Sequence, residues 1–425
     1  MSALSQDLPQ PRVERLEADV EALTRMTRPD VPYTRRAFSD EDRAARAWIA
    51  GEMRQAGLAV TVDAAANVIG RLPGRQDGPS IMTGSHLDTV QAGGRFDGIA
   101  GVLAALEVAR VLHETGHRLA RPLEVVNFTC EEPSDFGLST IGSRAMSGRI
   151  GADTVAALRD RGGRSLGDAI DTVGGRAGRL EEARRAPGTI ARYVELHIEQ
   201  SASLDRAGLP LGVVTAIAAP TRFRVTIRGR QDHAGGTPMA VRKDALAPAA
   251  ELVLLVERLA REAGRGMVGT VGALTVHPNM VNIVPGEVEL LADFRGIHPA
   301  AIGETLARFE DGVVEVARAR GVTIDVAGIV REEPLHVDAD MIQHAAAAAE
   351  SVRVPFARLT SGASHDANHI ARLCPIGMLF IACRYGRSHC PEEWAEPAHL
   401  AAGTRVLLEL VLRLDAALAE PSPTP

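Results

Sequence analysis

Histidines and carboxylates follow several apolar segments of this 425-residue chain. His86 comes directly after one such segment, and Glu131 and Glu132 come just after another. Adjacent carboxylates behind an apolar strand repel each other and lose hydration, so a cation between them would stabilise the pair. Asp97, His197 and His389 complete a set whose side chains are typical ligands of zinc and similar divalent metals.

The spacing of these residues excludes a local zinc-finger motif. Gaps of 11, 35, 65 and 192 residues separate His86, Asp97, Glu132, His197 and His389 in turn, so only a folded sheet could bring them together. Each residue also has a structural explanation, because a histidine after a strand is more often a capping or core residue. An aspartate before a glycine at a helix start is usually an N-cap. The acidic pair is the hardest of the set to explain without a cation.

Alternating strands and helices predict the fold that would position these residues. After helical segments within 12–57, the predicted strands are 58–62, 67–71, 80–85 and 123–129. A strong helix is predicted over 98–113. This order of strands and helices predicts an α/β fold, in which helices cover the faces of a sheet. In such a fold the functional side chains lie close together at the ends of the strands.

The pattern changes near Leu211, where strands begin to alternate apolar and charged residues. The predicted elements are strand 221–228, helix 244–263, strands 270–276 and 287–295, helix 302–320 and strand 322–326. This β-α-β-β-α-β order is typical of a ferredoxin-like α+β unit. A helix at 341–352 and a strand at 376–382 then return to the α/β pattern. We therefore predict a discontinuous α/β domain, 1–212 and 331–425, interrupted by an inserted domain, 213–330.

The composition excludes several classes of protein. The net charge of −7 argues against nucleic acid as a partner, because phosphate binding needs a positive surface. The apolar stretches are too short to span a membrane, and the N-terminus lacks the apolar region of a signal peptide. Four cysteines without a CxxC pair favour a reducing compartment, so we predict a cytoplasmic protein. The Pro-rich end, 420–425, is predicted to fray.

Eight segments resemble the M20 metallopeptidase superfamily. Within it they resemble the amidase branch of N-carbamoyl-L-amino-acid hydrolases, allantoate amidohydrolases and β-ureidopropionases. In the family's order they are GSHLDTV, GGRFDGIAGVLAALEV, EEPSDFGLSTIGSRAMSG, ELHIEQ, DHAGGTPMAVRKDAL, NIVPGEVELLADFR, SGASHDA and SHCPEE. They extend from residue 84 to residue 393. The resemblance implies a zinc-binding α/β domain with an inserted lid and dimerisation domain, and hence a homodimer.

The resemblance also implies two divalent metal ions per subunit. His86 and His197 would bind one ion, Glu132 and His389 would bind the other, and Asp97 would bridge both. Zn²⁺ is the expected metal, and Mn²⁺, Co²⁺ and Ni²⁺ are alternatives that accept the same ligands.

Three further residues match family positions that act around the reacting atoms. Glu131 would be the general base, and Asp88 would orient the imidazole of His86. His233 would stabilise the developing oxyanion, contributed across the dimer.

The remaining matches concern the substrate. Arg295 would bind a substrate carboxylate, because a guanidinium can form two parallel hydrogen bonds to it. The other positions matched to substrate contacts are Asn282, Gln200, Arg222, Gly362 and His365.

Some positions depart from the family pattern. Pro133 and Asp135 stand where a glycine and an arginine are common, so a positive charge is replaced by a negative one. Residues 201–203 replace a glycine and an apolar run, and Cys390 replaces a serine. These differences concern the surroundings of the predicted metal site and therefore substrate specificity.

The resemblance implies metal-dependent hydrolysis of a linear C–N bond outside peptides. The first expectation is an N-carbamoyl-L-amino acid, which would give the amino acid, CO₂ and ammonia. Allantoate, ureidoglycolate and β-ureidopropionate are alternative substrates, and a dipeptidase or amino-acid deacylase is an alternative enzyme. A metal-binding protein without catalysis is the alternative from another class, and the presence of Glu131 argues against it. Because only 3% of the residues are aromatic, we expect polar groups to dominate substrate recognition.

Overall fold

The computed structural model describes residues 3–419, which divide into two compact units. The first unit contains the described parts of 1–215, 337–359 and 365–425. The second unit contains 216–336 and the short segment 360–364. The predicted frayed end, 420–425, lies outside the described residues. Within the described part of the chain, no helix is both long enough and apolar enough to cross a membrane.

The first unit begins with two helices and continues as alternating strands and helices. Its elements up to residue 217 are α1 (Val13–Arg25), α2 (Asp40–Gln55), β1 (Ala59–Val62), β2 (Val68–Leu72), β3 (Ser80–His86), α3 (Ile99–Thr115), β4 (Leu123–Phe128), α4 (Ile141–Met146), α5 (Ala152–Ala157), α6 (Leu166–Asp171), β5 (Ile190–Ile198), α7 (Ser203–Ala207) and β6 (Leu211–Ile217). The predicted strands and the helix at 98–113 are present, each within two residues of the expected bounds. The short helices α4, α5 and α6 were not predicted.

The second unit contains the predicted β-α-β-β-α-β order with three extra strands of two residues each. Its elements are β7 (Ala219–Arg228), β8 (Asp232–His233), α8 (Leu246–Ala263), β9 (Val268–His277), β10 (Ile283–Val284), β11 (Glu287–Gly296), α9 (Pro299–Arg320), β12 (Thr323–Arg331) and β13 (Leu335–His336). The main strands form an antiparallel sheet in the order β12-β7-β11-β9. Strand and helix residues share one buried core that includes Val225, Leu252, Leu290 and Phe309.

The chain then returns to the first unit, whose remaining elements are α10 (Ala339–Ser351), β14 (Phe356–Ser361), α11 (Ala367–Ile370), β15 (Ile376–Ile381) and α12 (Pro397–Ala419). The 23-residue helix α12 is the largest element that the sequence analysis missed. Its central turns are buried almost continuously, from Val406 to Leu412. A helix that is buried nearly all round has no polar stripe, and the 3.6-residue period is then hard to detect.

The sheet of the first unit explains where functional groups can gather. Its order is β1-β2-β4-β3-β5-β15-β6, and β14 also pairs with β6. The four central strands, β4, β3, β5 and β15, are parallel. Parallel strands end at the same edge of a sheet, so side chains that follow these four strands lie close together.

Candidate active site

The predicted metal ligands gather at the carboxyl edge of the four parallel strands. His86 is the last residue of β3, and His197 is the penultimate residue of β5. Glu132 follows β4, and His389 lies in the loop after β15. Asp97 stands two residues before α3, so its position depends on the loop that joins β3 to this helix.

The first group of potential ligands consists of His86, Asp97 and His197, whose nearest ligand atoms all lie within 4.8 Å of one another. Each histidine Nδ1 is within hydrogen-bonding distance of a backbone carbonyl, at 2.9 Å from Asp88 O and 3.0 Å from Ile198 O. A carbonyl can only accept, so Nδ1 carries the proton and Nε2 keeps its lone pair. Both imidazoles are therefore in the tautomer that can bind a metal through Nε2.

Gly98 allows the backbone to approach both of these histidines. Its φ is +69°, a left-handed conformation that favours glycine, and a Cβ added there would lie 2.3 Å from His86 Nε2. Its N–H also donates to His197 Nε2 at 3.2 Å. Gly98, the last glycine of the segment GGRFDG, is thus required because the backbone approaches both imidazoles closely.

The second group consists of Asp97, Glu132 and His389, again with ligand atoms within 4.8 Å. His389 Nε2 lies 2.8 Å from Asp97 Oδ2 and 3.2 Å from Glu132 Oε1. The other oxygen of Asp97, Oδ1, lies 3.4 Å from His197 Nε2. Asp97 therefore presents one carboxylate oxygen to each group, which is the arrangement that a bridging ligand requires.

The electrostatics of this edge favour cations. Burial raises the pKa of Glu132 to about 7, and burial together with nearby carboxylates raises that of Glu131 well above its usual range. Hydrogen bonds to Asp97 and Glu132 raise the pKa of His389 to about 11, so an imidazolium partly balances the acids. Glu132 Oε1 is buried without a well-formed hydrogen bond. The residues fit two divalent cations that share Asp97.

Glu131 lies beside the first group without belonging to either group. Its Oε2 is 3.6 Å from His86 Nε2. The backbone N–H groups of Glu131 and Glu132 donate to the two carboxylate oxygens of Asp88, at 3.2 and 3.1 Å. Asp88 therefore holds the backbone of the acidic pair through its carboxylate.

Asp88 contacts the imidazole of His86 through its backbone rather than through its side chain. Its carboxylate Oδ1 is 3.6 Å from His86 Nδ1, which is too long for a hydrogen bond. The imidazole is oriented by the backbone carbonyl of Asp88 instead.

Glu393 is a residue whose role the sequence analysis missed, although it ends the segment SHCPEE. Its Oε1 accepts hydrogen bonds from the backbone N–H groups of Phe96 and Asp97, at 2.8 and 3.1 Å. Ser388 Oγ donates to its other oxygen at 2.7 Å. Glu393 is buried and thus holds the backbone that carries the shared carboxylate.

We expect Glu393→Gln to lower the affinity for divalent metal by ~10–100-fold, the range for changes in hydrogen-bond partners of metal ligands. The amide can present its N–H₂ group to the two backbone donors and so displace the loop. Competition with a chromophoric chelator measures the affinity. Glu392→Gln is the matched control, because Glu392 is exposed and pairs with Arg387 at 3.0 Å. Equal affinities in the two variants would contradict the role of Glu393.

Glu195 is a second residue that the sequence analysis did not assign. It accepts hydrogen bonds from Ser85 Oγ at 2.7 Å and Tyr193 Oη at 3.1 Å. With His197 and His365 it forms a third buried group of potential ligand atoms. The ring of His365 lies 4.6 Å from that of His197, and burial with the neighbouring imidazole holds its pKa well below the usual range.

Gln200 lies at the same edge of the sheet as the predicted metal ligands. Its Nε2 donates to Asp97 Oδ1 at 2.9 Å, and its backbone has a φ of +56°. Residues other than glycine rarely adopt a positive φ, and such backbone strain often occurs at functional sites. A contact from Gln200 to substrate remains a prediction.

In the second unit, the predicted substrate residues Arg222 and Arg295 converge on Asp293. Arg222 Nε donates to Asp293 Oδ2 at 3.1 Å, and Arg295 donates to the same oxygen through Nε and Nη2, at 3.2 and 3.0 Å. Arg295 Nη1 lies 3.5 Å from the carbonyl oxygen of Gly362. Two guanidinium groups therefore share one carboxylate. Asp293 was not predicted, although it pairs with Arg222 across neighbouring strands.

His233 and Asn282 are neighbours through the short pair β8 and β10. Ala234 N donates to the backbone oxygen of Asn282 at 3.0 Å. The backbone N–H groups of Gly235 and Gly236 donate to His233 Nδ1, at 3.1 and 2.9 Å. Since Nδ1 accepts, the proton lies on Nε2, and this exposed imidazole can donate a hydrogen bond from that atom.

The charge reversal at Asp135 is compensated locally. Arg36 pairs with Asp135 at 2.9 Å, so the departure from the family pattern adds no isolated negative charge. Asp135 and Pro133 line a small cavity of about 50 Å³ together with Asp88 and Glu132. The departure therefore alters the wall of a space beside the acidic pair.

Comparison with known proteins finds similarity to one family of hydrolases over most of the chain. The sequence profile of peptidase family M20/M25/M40 matches residues 82–413. An N-carbamoyl-L-amino-acid amidohydrolase from Paenarthrobacter aurescens is 38% identical over 405 residues, or 95% of this chain and 98% of the relative. A ureidoglycolate hydrolase from Oryza sativa subsp. japonica is 37% identical over 407 residues, or 94% of this chain and 84% of the relative.

A solved structure shows the same likeness in three dimensions. It is a hydantoinase/carbamoylase family amidase from Burkholderia multivorans, 34% identical, with a TM-score of 0.85. The match covers 95% of this chain and 98% of that one. The profile match spans most of the chain, and the relatives align over nearly its whole length. This protein therefore belongs to peptidase family M20/M25/M40, a family of hydrolases.

Proposed function

We propose that this protein is a binuclear metal-dependent amidohydrolase that cleaves a linear C–N bond of a ureido or carbamoyl carboxylate. The preferred substrate would be an N-carbamoyl-L-amino acid, with the amino acid, CO₂ and ammonia as products. The observation that carries the proposal is the position of Glu131, beside the first of two ligand groups that share Asp97. A purely metal-binding site would need no such additional acid.

The chain's own groups can perform the proton transfers of this reaction. Glu131 would take a proton from the attacking water and deliver it to the leaving nitrogen. Its carboxyl has a raised pKa, which suits a group that must both accept and release a proton. When bound, the two divalent cations would supply Lewis-acid charge to the reacting carbonyl. The surrounding buried acids would keep the cations in place.

The second unit would supply the groups that recognise the substrate. His233 would donate from Nε2 to the developing oxyanion, and its Nδ1 contacts with two backbone N–H groups support that tautomer. Arg295 would bind the substrate carboxylate. Arg222 and Arg295 share a single carboxylate, that of Asp293, so the cluster retains capacity for a second anion. Asn282, Gly362 and His365 would complete the contacts.

Ureidoglycolate, with allantoate as its chemical neighbour, is the second candidate substrate. It is favoured by the relative from Oryza sativa, which is nearly as similar as the carbamoyl-amino-acid relative. These compounds also join a ureido group to a carboxylate, so the same guanidinium clamp would serve them. A dipeptidase or deacylase would use the same metals, but the match of Asn282 and Arg295 to the amidase branch favours a ureido or carbamoyl substrate.

A substrate panel tests the proposal directly. Protein loaded with Zn²⁺, Mn²⁺, Co²⁺ or Ni²⁺ is incubated with N-carbamoyl-L-amino acids, N-carbamoyl-D-amino acids, allantoate, ureidoglycolate, β-ureidopropionate, dipeptides and N-acyl amino acids. Ammonia release is expected from the carbamoyl and ureido carboxylates. Hydrolysis restricted to dipeptides or N-acyl amino acids would overturn the proposal.

We expect Arg295→Ala to raise KM for a carboxylate substrate by ~10-fold or more, because a charged hydrogen bond contributes about 1.5–3 kcal/mol. Steady-state kinetics with the substrate found above measures the change. Arg224→Ala is the control, since Arg224 pairs with Glu289 on the exposed side of the same sheet. A substrate amide that lacks the carboxylate should be hydrolysed equally by Arg295→Ala and the unchanged protein. A KM that does not change would contradict the clamp.

We propose that the inserted unit, taken as 213–330, also forms a homodimer. Strand β9 is at one edge of its sheet, and Val268 and Leu274 on this strand are exposed. An exposed apolar edge strand is a natural site for pairing with a second copy. The cytoplasmic location predicted from the sequence remains a prediction.

If His233 acts across that dimer, mixing inactive Glu131→Ala and inactive His233→Ala protomers is expected to restore activity. A mixed dimer would contain one site with both residues intact and one site with neither. Because about half of the dimers in an equal mixture are mixed, up to about a quarter of the normal activity can return. Activity is measured before and after subunit exchange, with each variant alone as the control. No recovery, despite exchange verified by native mass spectrometry, would place His233 in its own subunit's site.

A further inference from the structure

A cavity of about 230 Å³ lies in the first unit, and none of the predicted metal ligands lines it. Its walls come from helix α1, the loop before α3 and the start of α12. The apolar part of the lining consists of Leu16, Val20, Phe96, Trp394, Pro397 and Leu400. No step of the proposed reaction uses these residues.

Arg95 places a positive charge in this apolar lining. Its Nη2 donates to Tyr33 Oη at 2.5 Å, and its guanidinium lies over the rings of Tyr33 and Trp394, at 4.7 and 5.4 Å. Its Nε is buried without a hydrogen-bond partner. Among the described residues, no carboxylate forms an ion pair with Arg95. A guanidinium that lines the cavity without a carboxylate partner favours a ligand that brings an anionic group.

Carboxylates line the same cavity. Glu17 and Glu21 are both on helix α1, one turn apart. Glu21 pairs with Arg25 at 3.2 Å, whereas Glu17 forms no ion pair within the part of the chain that the structure describes. The cavity therefore offers one unpaired cation, one unpaired anion and an apolar surface between elements of a single unit.

We propose that this cavity is a binding site for a small zwitterion with an apolar side chain, the chemistry of a free apolar α-amino acid. The ligand carboxylate would bind Arg95, and its ammonium would bind Glu17. The side chain would contact Leu16, Val20 and Leu400. An amine or a carboxylic acid alone would satisfy only one of the two charges, so both charges are required for full affinity.

The cavity is connected to the predicted metal centre by short covalent and hydrogen-bonded links. Phe96 lines it and immediately precedes Asp97, while Trp394 lines it and immediately follows Glu393. Glu393 in turn accepts hydrogen bonds from the backbone of Phe96 and Asp97. A ligand that repositions Phe96 or Trp394 would therefore shift the shared metal ligand, and the site would regulate metal affinity.

Tryptophan fluorescence tests the binding because the chain has only two tryptophans, Trp48 and Trp394. In a Trp48→Phe variant of the full chain, all tryptophan emission comes from the cavity. We expect saturable fluorescence changes with L-leucine, and little or no change with glycine, 4-methylpentanoate or 3-methylbutylamine. These three compounds lack the side chain, the ammonium and the carboxylate respectively. No change with millimolar leucine, or an equal change with all four compounds, would overturn the proposal.

Charge-removing variants separate this site from any amino-acid binding at the metal centre. In the Trp48→Phe background, Arg95→Gln and Glu17→Gln should each weaken leucine binding by ~10-fold or more. Arg384→Gln is the control, since Arg384 also lies over the Trp394 ring but does not line the cavity. Glu17 is exposed, so its substitution leaves the fold intact even if Arg95→Gln does not. Unchanged affinity in Glu17→Gln would overturn the proposed ammonium contact.

The readout is binding and does not depend on which substrate the enzyme hydrolyses. If leucine binds as proposed, metal affinity measured by chelator competition should change at least several-fold on addition of leucine, and this change should disappear in Arg95→Gln. Binding without any effect on metal affinity would refute the regulatory part and support the site alone. Failure of the substrate panel would leave both results unaffected.

Discussion

Asp97→Asn is expected to reduce the metal content of the protein from two ions per subunit to fewer than one. Asp97 offers one carboxylate oxygen to His197 and the other to His389, so a single side chain serves both ligand groups. An asparagine supplies one neutral oxygen and an N–H₂ group, which cannot bind a cation. The negative charge that holds two cations close together is lost as well.

Elemental analysis after dialysis against metal-free buffer measures this loss. Thermal unfolding gives an independent readout, because a ligand that binds only the folded state raises its stability. The melting temperature of the unchanged protein should rise on addition of Zn²⁺, and that of Asp97→Asn should not. Asp77→Asn is the control, since Asp77 is exposed and belongs to neither ligand group. An Asp97→Asn protein that retains two ions would refute the shared-ligand arrangement.

Glu131→Gln should lower kcat by ~10²–10⁴-fold, the usual contribution of general acid–base catalysis, while metal content stays at two ions. Glu131 belongs to neither ligand group, and its carboxylate stands 3.6 Å from His86 Nε2. The amide has nearly the same shape but cannot accept a proton. KM should change little, because the residue would act on water rather than on the bound substrate.

Glu132→Gln provides the comparison that makes this prediction specific. The two glutamates are adjacent, and Asp88 holds both of their backbone N–H groups. Only Glu132 is in a ligand group, so its substitution should remove metal together with activity. If Glu131→Gln also loses metal, Glu131 is a ligand rather than a base. If it keeps full activity, the general base is another residue.

The residue types at the predicted metal-binding edge could be identified from the sequence alone. The acidic pair after β4, the histidine at the end of β3 and the aspartate before α3 were predicted because each stands next to an apolar segment with a clear period. The order of strands and helices in both units was predictable for the same reason. The resemblance to the M20 family, carried by eight short segments, is confirmed by the profile match over residues 82–413.

The residues that support the predicted ligands could be identified only from the folded structure. Glu393 is almost three hundred residues from Asp97, and no local pattern indicates that its carboxylate accepts the Asp97 N–H. The same holds for Asp293, which joins Arg222 and Arg295, and for Asp88, whose backbone carbonyl is the atom that contacts His86. Hydrophobic periodicity specifies which face of an element is buried. It does not specify which polar atoms meet, because that depends on strand order, register and loop conformation between distant parts of the chain.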